Sequence, residues 1–294
     1  VSSVTFSPLG DLVLTSSSDC TGRLWDVRTG ECLKVMSHHR EPSTKAVFSP
    51  AGEHILLMSE DTSASLWPAS SAAAFENPLQ KFEGHSHHIT CGAFSPDGSQ
   101  VALGSGDHLA SLWDVGSGEL ISFLDGHRFA ILAVEFRPSI DGASGQLMTA
   151  SRDETCRLWD TQSSECLAVL SGHQRDVLHA CYSPCGGFVL SASKDNDARI
   201  FKAGSSGDCL HVLQGHTGWV THASYMSDGL RIVTSSRDKT ARIWDTLEGT
   251  CLASLKGHWG PVRFAWFLPS ADEIIEAPSR EALGDDERRR ETVG

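Results

Sequence analysis

The chain has 294 residues, 40% hydrophobic and 21% charged, with 27 Gly and 11 Pro, a globular composition that excludes collagen-like, disordered and disulfide-dense classes. Twenty-four Lys and Arg against 37 Asp and Glu leave a formal charge of −13, which repels nucleic acid and anionic lipid, so neither is expected as a main partner. No run of roughly 18 apolar residues is present to cross a bilayer, and the opening VSSVTFSPLG lacks both an initiator Met and a basic-then-apolar signal pattern.

From the first residues onward the chain alternates short apolar segments with turn signals. In one stretch ITCGAFSP (89–96) is followed by DGS, QVALGSGD, ASLWDV, GSGE and LISFLDGH, ending at 127. These runs are rich in β-branched or aromatic residues and bounded by Gly, Asp, Ser or Pro. The pattern predicts four strands per period and no helix. FSPDG and SYMSDG supply tight turns, where Pro fixes φ and Gly accepts a positive one. A lone four-stranded sheet leaves both faces uncovered; radial stacking covers them and hides most edges.

The period is explicit. Trp25, Trp67, Trp113, Trp159, Phe201 and Trp244 are 42, 46, 46, 42 and 43 residues apart. Six residues before each stands Asp19, Asp61, Asp107, Asp153, Asp195 or Asp238, and two before each Asp stands Ser17, Ser59, Ser105, Ser151, Ser193 or Ser236. His39, His85, His173 and His216 lie 22 residues before their Asp; His127 lies 26 before Asp153, where SIDGASG lengthens a loop.

Gly-His at Gly84-His85, Gly126-His127, Gly172-His173, Gly215-His216 and Gly257-His258, with Trp-Asp at Trp25-Asp26, Trp113-Asp114, Trp159-Asp160 and Trp244-Asp245, resembles the WD-repeat family. The resemblance spans residues 1 to about 268. It implies an all-β fold, a β-propeller of six complete four-stranded blades plus a partial seventh. In chain order these are 1–36, 37–83, 84–125, 126–171, 172–214, 215–256 and, incomplete, 257–268, followed by a charged tail over 269–294.

The family pattern also implies a hydrogen-bonded set in each blade: His39/Ser59/Asp61/Trp67, His85/Ser105/Asp107/Trp113, His127/Ser151/Asp153/Trp159 and His216/Ser236/Asp238/Trp244. A half-buried indole N–H needs an acceptor and a buried carboxylate needs donors. His, Ser and Asp together also suggest a hydrolase triad, but a triad is used once, beside an oxyanion hole, whereas this set recurs in four full copies. No catalytic residue is therefore assigned, and no cofactor. GHSHH (84–88) and the Cys181/Cys185 pair invite a metal reading, but His85 belongs to a repeated set with His87 and His88 expected on a surface loop, and no second ligand pair follows the cysteines at zinc-like spacing. No metal site is assigned.

Nine cysteines cannot all pair within the chain. Cys32, Cys166, Cys209 and Cys251 recur at one repeat position, which reads as small buried hydrophobes rather than bridges. Free thiols without a signal peptide point to a reducing compartment: cytoplasmic, with nuclear or ciliary locations open.

The departures are informative. Phe201-Lys202 replaces Trp-Asp, so the fifth blade lacks the indole donor. The second carries Trp67-Pro68, the loop SSAAAFENP, and His38 where Gly is usual, and is expected to be looser at its outer strand. The first blade has no Gly-His; the missing His would precede Val1. After the strand PVRFAWFLP, and DEIIEAP as a second, the pattern collapses: Arg280 and Asp286 stand where Asp and Trp are due. A truncated or partial gene product is the expectation favoured over a ring of six blades plus a fragment.

The family resemblance implies a non-catalytic scaffold that binds other proteins through the top face and channel mouth, within a larger complex. A substrate receptor of a ubiquitin ligase and a ciliary or centriolar assembly factor use the same fold. A propeller enzyme is less favoured, because no unrepeated acid, base and nucleophile converge. By the family's geometry the top face carries Arg40, Arg128, Arg152, Lys194, Trp219, Arg237 and Trp259, with His88, Asp176 and Glu60. Arg152, Lys194 and Arg237 fall at one position in three consecutive blades. Trp beside Arg is the composition of an interface hot spot, and the sector is expected to take an acidic or phosphorylated peptide segment.

Overall fold

The computed structural model describes residues 1–70, 77–138 and 145–267. The proposed DEIIEAP strand, the charged tail and most of the SSAAAFENP and SIDGASG loops lie outside the described residues. Among the described residues all regular structure is β, in six four-stranded antiparallel sheets that follow chain order. The first holds β1 (Ser3–Phe6), β2 (Leu12–Ser16), β3 (Gly22–Asp26) and β4 (Cys32–Met36). The second holds β5 (Ser43–Phe48), β6 (His54–Ser59), β7 (Ala64–Pro68) and β8 (Gln80–Phe82). The third holds β9 (Ile89–Phe94), β10 (Gln100–Ser105), β11 (Ala110–Asp114) and β12 (Leu120–Leu124). The fourth holds β13 (Ile131–Phe136), β14 (Gln146–Ser151), β15 (Cys156–Asp160) and β16 (Cys166–Leu170). The fifth holds β17 (Val177–Tyr182), β18 (Phe188–Ser193), β19 (Ala198–Lys202) and β20 (Cys209–Leu213). The sixth holds β21 (Val220–Tyr225), β22 (Arg231–Ser236), β23 (Ala241–Asp245) and β24 (Cys251–Leu255). This is the β-propeller architecture, with six blades among the described residues.

The burial pattern explains the sequence pattern. β6, β10, β14, β18 and β22 are buried at every residue after the first, because both faces of each are covered by neighbouring sheets; hence near-continuous apolar and small residues such as LMTAS. The core is a series of layers between sheets. Leu56, Met58, Leu66 and Phe82 of the second sheet, for example, pack on Ile89, Phe94 and Leu103 of the third, each large side chain contributing about 1.5–3 kcal/mol. β8, at three residues, is shorter than the other outer strands, which have five.

The series is open on one side. Each innermost strand packs on the next, from β1 on β5 to β17 on β21, and no contact of comparable extent joins the sixth sheet to the first. Leu255 is 49% exposed, whereas its equivalents Met36, Leu124 and Leu213 are fully buried. Val4 and Phe6 are likewise uncovered, while their equivalents Val134 and Phe136 are buried. The partial seventh blade is not formed: after β24 the described residues contain no strand. The 262–265 backbone lies along β21, with Val262 N–H donating to Ser236 O, Thr221 Oγ1 to Val262 O and Ser224 Oγ to Ala265 O. Among the described residues no strand pairs with its far edge.

The outer-strand cysteines correct the expectation. Cys32, Cys166, Cys209 and Cys251 are exposed; all nine thiols are free. Each opens its outer strand, where the side chain faces solvent rather than the next sheet. The turn joining second and third strands repeats a further feature: the residue after each turn Asp (Cys20, Thr62, His108, Glu154, Asn196 and Lys239) has φ between 68 and 78°, a left-handed conformation uncommon for non-glycine residues.

Candidate functional site at the upper face

The loops that precede the innermost strands and the turns that join second to third strands share one end of the sheets, here the upper face. Hydrogen bonds sew the two together. His39 Nδ1 lies 2.9 Å from Asp61 Oδ2, and His85, His127, His173 and His216 bond Asp107, Asp153, Asp195 and Asp238 at 2.9, 2.7, 2.8 and 2.8 Å. The same carboxylates accept the backbone N–H of the next residue: Arg40, Ser86, Arg128, Gln174 and Thr217.

The hydroxyl that joins imidazole to indole is not the serine two before the Asp. His39 Nε2 bonds Ser65 Oγ at 2.8 Å, and Trp67 Nε1 donates to the same oxygen at 2.9 Å. Ser111 does this for His85 and Trp113, Thr149 for His127 and Trp159, and Thr234 for His216 and Trp244. Because the hydroxyl accepts from the indole, its one hydrogen goes to Nε2, which leaves Nδ1–H to donate to the carboxylate. Ser59, Ser105, Ser151 and Ser236 act elsewhere: each accepts the turn Asp N–H and donates to a carbonyl of the preceding loop. In the fifth sheet His173 bonds Ser191, and the fully buried Phe201 fills the indole's place without a donor.

These networks fix the charge states. Burial pushes the Asp153 and Asp238 carboxyls up, but the bonds from His127 and Thr155, and from Thr240 and His216, outweigh it and hold both well below the usual range. Asp195 falls to about 2 on the same balance, with His173 the strongest opposing donor. Burial pushes His127 and His216 down despite their carboxylate partners, so both rings are neutral.

On this scaffold the predicted surface residues divide. Arg152, Lys194 and Arg237 follow one backbone rule, their N–H donating to Ala130, Asp176 and Trp219 carbonyls. Gly218 makes that approach possible in the sixth sheet, since a Cβ there would lie 2.8 Å from Asp238 N. Trp219 is held between two cations: Arg237 Cζ is 4.0 Å and Lys194 Nζ 4.8 Å from its ring centre. Lys194 Nζ also reaches Asp176 Oδ2 at 2.7 Å, with Arg152 Nε 3.9 Å from the same oxygen. A line Arg152–Asp176–Lys194–Trp219–Arg237 thus crosses three sheets. Beside it a cavity of about 590 Å³ is lined by Gln174, Arg175, Lys194, Asn196, Thr217 and Trp219 among others. Arg40, before the second sheet, and Arg128, in the loop before β13 of the fourth, are exposed but lie outside this line, as does Trp259, 95% exposed. Nor do His87 and His88 gather ligands: among the described residues no three His, Cys, Asp or Glu side chains converge to hold a metal.

A family model described as WD domain, G-beta repeat matches residues 1–26, 76–114, 118–160, 164–202 and 207–245. The chain belongs to the WD-repeat family. The unmatched stretch 27–75 contains β4 to β7, yet the second sheet has the same four-stranded build as the matched repeats and carries a complete His39–Asp61–Ser65–Trp67 network. No curated protein matches the chain. The WD-repeat propeller also surrounds a central cavity of about 540 Å³, into which the innermost strands bring Lys45, Glu135, His179, Cys181 and His222, joined by Trp266. No repeated motif marks this group, since no one residue type recurs at the inward-facing positions of all six first strands, although His179 and His222 share theirs.

Proposed function

We propose that this WD-repeat protein is a non-catalytic interaction scaffold that holds an acidic segment of a partner protein on the upper-face sector of the fourth to sixth sheets. The observation that carries the reading is Trp219, partly exposed between Lys194 and Arg237. An aromatic plane with flanking cations offers area and charge to one peptide, in the manner of an interface hot spot. A non-catalytic role is supported by the hydroxyls of the His–Asp sets. Ser65, Ser111, Thr149, Ser191 and Thr234 are fully buried and hydrogen-bonded, so none is presented to a substrate.

Such a scaffold acts as a subunit of a larger complex, as a ligase substrate receptor or an assembly factor would, and nine free thiols favour a reducing compartment such as the cytoplasm. The test is charge reversal, Arg152→Glu with Arg237→Glu, read by partner pull-down with circular dichroism as the fold control. Partner capture is expected to fall by about tenfold or more, and wild-type capture to weaken with salt. A folded double variant that captures every partner at wild-type strength overturns the reading.

A further inference from the structure

The register of the innermost strands sorts the wall of the central cavity into levels. Opposite the residue that precedes each repeated serine stand Ser3, Lys45, Cys91, Ala133, His179 and His222. The three basic side chains of these six strands therefore share one level. Two residues further along each strand, Thr5, Val47, Ala93, Glu135, Cys181 and Ser224 form the next level, and all six line the cavity. Inside a chain of formal charge −13, a basic level is a local attraction for an anion. Its histidines also lack partners. His179 and His222 pack with ring centres 4.2 Å apart, and His222, 5% exposed, meets Phe264 and Trp266 at 5.5 and 5.0 Å. Nδ1 of both rings is buried and, among the described residues, has no hydrogen-bond partner. Lys45 is exposed and makes no ion pair among the described residues, yet its charge acts on His179, His222 and Glu135.

We propose that the central cavity binds a small monocarboxylate, its carboxylate held between Lys45 Nζ and the His179–His222 pair and its apolar body against Val47, Ala93 and Trp266. A volume of about 540 Å³ suits a ligand of small-metabolite size. Lys45 supplies the one fixed positive charge, which matches one carboxylate; a dianion would set a second negative charge against Glu135 at the next level. A slight turn of either imidazole gives Nδ1 the partner that the fold withholds. Burial, with Lys45 adding to it, holds both rings well below their usual range, His222 at about 4, so both are neutral in the empty cavity. A carboxylate beside them favours protonation, so binding takes up protons and tightens as pH falls. Glu135 acts in the same direction, since burial raises its carboxyl to about 7 and protonation below that removes its repulsion. Cys181, on the same wall, stays a thiol because burial raises it. This site is separate from the upper-face sector, and neither reading depends on the other.

The experiment is isothermal titration calorimetry of the full chain with benzoate, cyclohexanecarboxylate and hexanoate, each beside its primary amide. At least one acid is expected to bind about tenfold or more tighter than its amide, and about threefold or more tighter at about pH 6 than at about pH 7.5. Lys45→Met should lose the margin over the amide. Lys202→Met, the same charge change at the exposed end of β19, should keep it. In Glu135→Gln the pH dependence that remains belongs to the histidines, and adding His222→Gln should remove most of it, with circular dichroism as the fold control. Acids that bind no better than their amides overturn the inference, as does a Lys45→Met protein with wild-type binding. An affinity that does not change with pH overturns the part assigned to the histidine pair. Inorganic phosphate that displaces the acid at the acid's own binding concentration overturns the carboxylate assignment in favour of a general anion site.

Discussion

Ser65 and Leu57 face each other across β7 and β6, and at the same pair of positions in the fourth sheet Arg157 faces Thr149. The hydroxyl that links imidazole to indole thus comes from the third strand in one sheet and the second strand in the other. The third sheet follows the second, with Ser111 opposite Leu103. The first, fifth and sixth pair Thr15 with Arg23, Ser191 with Arg199 and Thr234 with Arg242. Where the hydroxyl moves to the second strand, arginine takes the vacated position, and Arg157 and Arg242 lie 5.9 and 6.0 Å over the Trp159 and Trp244 rings.

Removing the linking hydroxyl leaves a buried indole N–H and an imidazole nitrogen unpaired. Ser65→Ala is expected to destabilise by about 1–3 kcal/mol, read as a lower urea midpoint. Leu57→Thr in the Ser65→Ala background restores a hydroxyl from the opposite strand, and should recover part of the loss. An unchanged midpoint for Ser65→Ala would show that the network contributes nothing.

Acid destabilisation is expected in two stages. His127, His216 and His222, the last lowered to about 4 by burial, are neutral when folded. Unfolded histidine binds protons first, so stability declines as pH falls below about 6.5. Asp195, at about 2, is ionised in the fold, so its contribution is present above about pH 4 and lost on the way to pH 2. Urea midpoints between pH 8 and 3 should fall across both ranges. His222→Gln should flatten the first.

Glu135 has the opposite sign. Burial raises its carboxyl to about 7, against the Tyr182 N–H bond and the influence of Lys45. The folded state therefore favours the protonated form, a contribution present below about pH 4.5 and lost as pH rises through 7. Glu135→Gln is expected to be more stable than wild type at pH 8 by about 1–2 kcal/mol, and closer to it at pH 5. Equal offsets at both pH values would exclude the carboxyl as the cause.

The left-handed turn residues store strain. Thr62, β-branched with φ of 70°, is the least suited of the six, and Thr62→Gly should stabilise by about 1 kcal/mol. Asn196→Gly should gain less, since Asn tolerates that conformation. Thermal melts of the two variants give the comparison.

Leu255 and Leu213 end equivalent strands with opposite surroundings, 49% exposed and fully buried. Leu213→Ala is expected to cost about 2–5 kcal/mol and Leu255→Ala under about 1 kcal/mol. Matching losses would mean that the face of the sixth sheet is covered in solution.

The sheets were legible in the sequence because each repeat is written in local signals: an alternating strand, an Asp turn, an aromatic at fixed offset. The His–Asp bonds followed, since both partners keep their spacing. The linking hydroxyl did not, because Ser65 and Thr149 occupy different strands and only the cross-strand register shows them to be one function. The serines two before each Asp keep their spacing too, but clamp the preceding loop instead.

Asp176 gives the basic sector its own counter-ion. An acidic partner that reaches Lys194 exchanges one carboxylate for another, so few bound salt ions are set free there and the salt slope of that contact is shallow. The steep part belongs to Arg237, which makes no ion pair among the described residues. Removing the resident carboxylate by Asp176→Asn should make the sector a stronger trap for acidic chains in general and a poorer judge among them. On that view Asp176 sets a threshold of negative charge that a partner must exceed before it is held.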